Sequence, residues 1–250
     1  MTGRHIIREA EDLQQLELSL ERAIATSWLA FQPIVHWPAR RVFGYEALLR
    51  TDELSLSNPV EIIDAAERLG SVHLLGRAVR SAVGVQLQST LFAEATFVNL
   101  HALDLLDDTL MSPDEPLSKV AKRVVLEITE RASLDEIDDV RERIEKLRAL
   151  GYRIALDDLG AGYAGLTTIA QLEPDVIKLD MSLIRGVDQA TTKQKLIGSM
   201  TRMCRDMGML VIAEGVETVG ERDVLTQLGC ELLQGYIFAR PARGFPVPEW

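Results

Sequence analysis

Cysteine is scarce in this 250-residue chain: Cys204 and Cys230 are the only two, and they lack a metal-type spacing. That excludes a disulfide scaffold and a cysteine zinc site, and both thiols are expected to be reduced and to lie in or near core elements. Histidine is almost as rare, with four, and aromatics make up 5% of the residues. No apolar run reaches the ~18 residues of a membrane span. The N-terminal Arg4, His5, Arg8 and Glu9 leave no apolar stretch for a signal peptide. A cytoplasmic protein without membrane contact is the expectation. Basic residues are also in deficit: 27 against 38 acidic ones give a net charge of −11. This speaks against a nucleic-acid polymer as partner. A small anionic substrate stays admissible, because bound divalent cations would reverse the local sign.

A hydrophobic content of 47% is ordinary for a globular protein. The length is that of a (β/α)8 barrel, about 250 residues. Residues 9–26 carry Leu13, Leu16, Leu20, Ala23 and Ile24 among charges and read as an amphipathic helix. The expected division is therefore an N-terminal helix over 1–28 leading into a single barrel over 29–250. Strands are expected at 29–35 and 42–49. The five residues Trp37–Arg41 between them are too few for a helical crossover, so this pair should be antiparallel. Further strands are expected at 96–100, 123–128, 152–156, 175–179, 209–213 and 231–233, alternating from residue 96 on with helices at 135–150, 163–172, 189–207 and 218–228. Earlier helices fall at 59–69 and 71–90. Near-continuous apolar strands in a β-α repeat mark a parallel sheet buried on both faces. The fold class is α/β, a modified TIM-type (β/α)8 barrel with the first strand antiparallel to the second.

The stretch Arg153–Gly162 draws most attention, because its apolar strand runs into Asp157-Asp158 and then a glycine-rich turn. Adjacent carboxylates repel unless a cation neutralises them; the plain alternative is a turn start. Gly160, Gly162 and Gly165 also fit a dinucleotide-binding G-x-G-x-x-G, but two aspartates ahead of the turn would oppose a pyrophosphate. Other strand ends are polar too: Glu46 then Arg50, Asn99, Glu127 then Glu130, Lys178 and Asp180, Glu214 then Glu217, and Gln234. In a barrel these ends converge on the face that hosts catalysis. Glu127 and Lys178 interrupt apolar strands and should not be buried unpartnered. Five carboxylates and an amide, without His or Cys, favour Mg2+ or Mn2+ over zinc. So many carboxylates suggest two such cations sharing a ligand, which suits in-line displacement at phosphorus. Lys178 would orient or deprotonate the water, or meet a phosphoryl oxygen. His101 reads as structural.

At Glu46-Ala47-Leu48-Leu49-Arg50 the chain resembles the EAL-domain family of cyclic-di-GMP phosphodiesterases. Further motifs carry the likeness from about Leu29 to Pro241: Gln32-Pro33-Ile34, Val98-Asn99-Leu100, Leu126-Glu127-Ile128-Thr129-Glu130, Asp157–Tyr163, Lys178-Leu179-Asp180, Ala213–Glu217 and Gln234-Gly235-Tyr236. The resemblance implies hydrolysis of cyclic-di-GMP to linear pGpG. It implies that Glu46, Asn99, Glu127 and Asp157 hold one metal, and that Asp157, Asp158 and Glu214 hold the second. It further implies that Lys178 contacts the nucleophilic water and that Glu46, Asp157 and Asp158 share in catalysis. Arg50, Gln32, Asp180 and Gln234 would meet substrate, and Glu130 and Glu217 would anchor loops. A homodimer and an accompanying sensor domain are also implied. Departures are mild: Leu159 and Ala161 stand where Phe and Thr are frequent, Ala164-Gly165 replaces a frequent Ser-Ser, and Thr51 a frequent Trp. Two other readings remain: a receptor that binds cyclic-di-GMP without cutting it, and a barrel enzyme that uses metals for enolisation or aldol chemistry.

Overall fold

The computed structural model describes residues 2–90, 94–129, 134, 137–161 and 165–250, with side chains from residue 11 on. Helix α1 (Thr2–Ala25) leads into β1 (Ser27–His36) and β2 (Arg41–Thr51). Then come α2 (Pro59–Arg68), α3 (Val72–Gln88), β3 (Ala95–Asn99), short 3-10 turns and β4 (Val124–Thr129). The remainder alternates: α4 (Val140–Leu150), β5 (Arg153–Leu159), α5 (Gly165–Leu172), β6 (Val176–Leu179), α6 (Met181–Ile184), α7 (Thr191–Asp206), β7 (Leu210–Ala213), α8 (Val219–Gln227), β8 (Leu232–Gln234) and β9 (Ala242–Arg243).

Strands β2 to β8 pair in parallel, each with the next. β1 closes the ring by pairing antiparallel with both β2 and β8. The expected mixed barrel is therefore present, and β1 is antiparallel to both its neighbours. β9, not expected, adds to β1 through Phe31 and Ala242. Helix α4 starts later than expected. Asp139 precedes it at φ 57°, a left-handed conformation that a right-handed helix cannot run through; part of the expected span, residues 135 and 136, lies outside the described residues.

Each barrel strand buries both faces, and the alternation of side chains sorts them into two cores. Outward residues such as Val98, Leu126, Ile154, Leu156, Ile177, Val211 and Leu233 pack into the large cluster beneath the helices. Inward residues Ile34, Phe97, Val125, Ala155, Val176, Ile212 and Leu232 fill the barrel. Gly44 completes that layer without a side chain, because a Cβ there would lie 2.5 Å from the Ala95 carbonyl oxygen. The next inward position on each strand, two residues on, is polar: Glu46, Asn99, Glu127, Asp157, Lys178, Glu214 and Gln234. β1 runs the other way, so its polar residue, Gln32, comes two before Ile34. The apolar layer is thus the floor beneath a polar ring to which every strand of the barrel contributes.

A third cluster joins α1 and α2 through Leu20, Ala23, Ile62, Ala65 and Ala66. The end of α1 is tied to the end of β2: Thr51 Oγ1 donates to the Ala23 carbonyl at 3.0 Å, and Arg22 Nε donates to Glu53 at 2.7 Å. Among the described residues no helix is long and apolar enough to cross a membrane.

Charge pairing holds the turn after β3. Buried Arg80 of α3 places Nη1 2.9 Å from Asp104 Oδ1 and Nη2 2.6 Å from Asp107 Oδ2. Arg77 makes a two-pronged bond to Asp107 and holds that carboxyl well below the usual carboxylate range. Burial outweighs Arg80 at Asp104 and raises its pKa. Arg80→Met would leave Asp104 buried without its partner, which costs on the order of 3–5 kcal/mol. The expected outcome is a markedly lower urea midpoint for Arg80→Met, with an unchanged slope; an unchanged midpoint would contradict the pairing.

Candidate active site

The polar ring closes around one ammonium. Lys178 Nζ, fully buried, lies 2.6 Å from Glu127 Oε1, 2.6 Å from Glu214 Oε1, 3.1 Å from Asp157 Oδ1 and 3.6 Å from Glu46 Oε2. β6 delivers it there because Val176, two residues earlier, points into the floor. Glu46 is held from two sides: Asn99 Nδ2 donates to Oε1 at 3.1 Å, and Gln234 Nε2 donates to Oε2 at 2.6 Å. Gln234 Nε2 also reaches Gln32 Oε1 at 3.2 Å, and Gln32 Nε2 donates to the Ala239 carbonyl. The neutral amides therefore fix the carboxylate nearest the antiparallel strand.

Asp158 enters by a different route. Asp157 points inward, so an undistorted strand would turn Asp158 outward. Instead β5 changes register between Leu156 and Leu159, and Asp158 adopts φ 57°. This bulge carries a real conformational cost for a non-glycine residue, of order 1–3 kcal/mol. The Asp158 amide donates to Asp157 Oδ1 at 3.0 Å. As a result Asp157, Asp158 and Glu214 each bring an oxygen within 4.8 Å of the other two.

Electrostatics match a site built for added positive charge. Burial pushes the Glu127 carboxyl well above the usual range, and does the same at Glu214. Burial opposes the Lys178 ammonium, but Asp157, Glu127, Glu214 and Glu46 together outweigh it and hold the proton more firmly than usual. The five carboxylates, Glu46, Glu127, Asp157, Asp158 and Glu214, face one ammonium, so full ionisation leaves four negative charges uncompensated. Glu127 Oε2, completely buried, finds no hydrogen-bond donor among the described residues. An orphaned buried carboxylate oxygen is costly, and together with an all-oxygen donor set it fits a hard divalent cation.

Other residues expected at the site lie around this ring. Arg50, at the end of β2, is half-buried and its guanidinium donates to the adjacent Leu49 carbonyl at 2.7 Å. Asp180 lies just past the end of β6 and caps α6, accepting from the Ser182 amide at 2.9 Å. Glu217 forms an ion pair with Arg185 across two loops. Glu130 lies outside the described residues, as do 162–164 of the loop after Asp158. His101 accepts from the Leu103 amide and meets Glu67 at 3.0 Å, consistent with a structural part. Glu221, at the start of α8, is a further buried carboxylate, and the Thr218-x-x-Glu221 pattern at the start of a helix is its signal in the sequence.

Removing the central cation should expose this balance. In Lys178→Met the clustered carboxylates lose the ammonium at their centre, and breaking such a buried pairing costs about 3–5 kcal/mol. Metal-free Lys178→Met should melt well below the parent, and adding Mn2+ should raise its Tm by more than it raises the parent's. Equal Tm gains in the two proteins would show that Lys178 and the cations do not share the site.

Comparison with known proteins agrees with this geometry. The EAL domain family model matches residues 17–241. Cyclic di-GMP phosphodiesterase PdeR of Escherichia coli is 29% identical over 256 residues, covering 94% of this chain and 37% of PdeR. The blue light- and temperature-regulated antirepressor BluF of E. coli is 28% identical over 230 residues, covering 88% of this chain and 56% of BluF. Many of the curated relatives are longer, and the chain spans about a third of their length. The solved structure of Klebsiella pneumoniae BlrP1 in complex with calcium and cyclic-di-GMP superposes with a TM-score of 0.78 at 32% identity, over 87% of this chain and 56% of that one; a manganese complex of the same protein scores 0.76. The chain belongs to the EAL domain family.

Proposed function

We propose that this chain hydrolyses one phosphodiester of cyclic-di-GMP to linear pGpG, with two divalent cations, Mg2+ or Mn2+, at the ring. The observation that carries this is the complete set of oxygen donors around Lys178, on the barrel face where catalytic residues gather. Relatives named as cyclic-di-GMP phosphodiesterases, and the BlrP1 complexes with cyclic-di-GMP and calcium or manganese, support the substrate and the metal class. Four uncompensated negative charges also match the charge of two divalent ions.

Glu46, Asn99, Glu127 and Asp157 would hold one cation, and Asp157, Asp158 and Glu214 the other, with Asp157 shared. When bound, such ions supply Lewis acidity and a water of lowered pKa. The chain itself does the rest. Asn99 and Gln234 set the orientation of Glu46. Lys178 Nζ, a donor fixed within the ring, orients the attacking water. Arg50 at the rim meets the anionic substrate, with Gln32, Gln234 and Asp180 as further polar contacts, and Glu130 and Glu217 steady the surrounding loops. A cytoplasmic homodimer governed by a sensor domain completes the proposal.

A second reading is a receptor that holds cyclic-di-GMP without cutting it, and the relative named as an antirepressor favours it. A timed incubation with cyclic-di-GMP separates the two. The expected result is pGpG with Mg2+ or Mn2+, none with EDTA, and at least about 100-fold slower turnover in Glu46→Ala. Retained binding with no product over hours would establish the receptor instead.

A further inference from the structure

Glu221 is 97% buried by its 3% exposure, and its carboxylate collects three backbone amides. Oε1 accepts from Gly186 N at 2.9 Å. Oε2 accepts from Glu217 N at 3.0 Å and Thr218 N at 3.1 Å. The Thr218 bond belongs to the capping box that starts α8, since Thr218 Oγ1 receives the Glu221 amide in return. The Gly186 bond does not, because it comes from the segment that follows β6. One carboxylate therefore spans two loops: the one after β7, which begins at Glu214, and the one after β6, which begins just past Lys178.

The far side of that span is firmly held. Lys193 Nζ of α7 donates to the carbonyls of Ser182 at 2.6 Å and Arg185 at 2.7 Å. The two loops also touch closer to the ring: at Gly215, φ 67°, an added Cβ would lie 2.6 Å from Met181 Cβ. Arg185 and Glu217 form a second bridge at the surface. Glu214 thus starts a loop whose other end, only a few residues on, is pinned to a rigid neighbour by a buried anion.

We propose that Glu221 is a positioning residue: it sets the place of the Glu214 carboxylate, and hence the affinity for the cation that Asp157, Asp158 and Glu214 share, by clamping the β7 loop to Gly186. This rests on Glu214 being a cation ligand, as proposed above. A role in capping α8 alone would need only the Thr218 bond, and the bond to Gly186 is the part that bears on the site.

Glu221→Gln separates these roles. A glutamine can keep its oxygen on the Glu217 and Thr218 amides, but its NH2 then faces the Gly186 N–H, donor against donor. The helix cap survives and the clamp opens. Mn2+ binding to the full chain without substrate, followed by titration calorimetry, should be about tenfold weaker in Glu221→Gln, the lower end of the loss seen when groups supporting metal ligands are changed. Glu221→Ala should weaken it further. Tyr152→Phe, which removes the remote Ser118–Tyr152 bond of 3.0 Å, controls for stability and should bind Mn2+ as the parent does. If the parent binds Mn2+ and Glu221→Gln matches it within twofold, the positioning role is overturned while Glu214 remains a ligand. If the parent binds none, or Glu214→Gln binds as the parent does, the ligand assignment fails and the positioning role fails with it.

Discussion

One buried ammonium among carboxylates governs this molecule. Lys178 is sealed from solvent and surrounded by Glu46, Glu127, Asp157 and Glu214. A lone charge at that depth is prohibitive, and one ammonium among so many carboxylates is nearly as poor in the other direction. Under the proposed function, two divalent cations would take up the excess. Amide donors reinforce the arrangement without adding charge: Asn99 and Gln234 hold Glu46 in place. Where alternation alone would turn Asp158 outward, the strand bulges, and Asp158 takes a left-handed conformation to join Asp157.

The barrel turns a simple period into a site. Its inward residues form an apolar floor from Ile34 to Leu232, and the next inward residue on every strand is polar. The floor excludes water from below, which strengthens each interaction in the ring. The antiparallel β1 keeps the pattern by reading it backwards, so Gln32 joins the same ring as Gln234. Outside the ring, buried charged groups of helices hold the neighbouring loops: Arg80 of α3 with Asp104 and Asp107 after β3, and Glu221 of α8 with Gly186 after β6.

Much of this was legible from the chain. The short Trp37–Arg41 connection dictated the antiparallel pair, and Glu127 and Lys178 stood out because a charge in an apolar strand demands partners. What the sequence withheld were contacts over long separations and local exceptions to periodicity. Nothing around Asp180 distinguishes a substrate contact from the cap of α6 that it forms. The bulge at Asp158 cannot be read from an Asp-Asp pair, because a plain turn begins the same way. The acidic residues before Val140 fit a helical pattern in sequence, but the positive φ of Asp139 keeps α4 from starting before it. Glu221 announced its helix cap but not the amide of Gly186, 35 positions away.

The most direct measurement is the number of Mn2+ ions held per chain, with cyclic-di-GMP present and turnover suppressed by Lys178→Met. Two ions per chain would agree with a ring whose carboxylates exceed its ammonium charge by four in the parent. No bound ion, or two ions still held after loss of both Asp158 and Glu214, would contradict the assignment of these carboxylates as cation ligands.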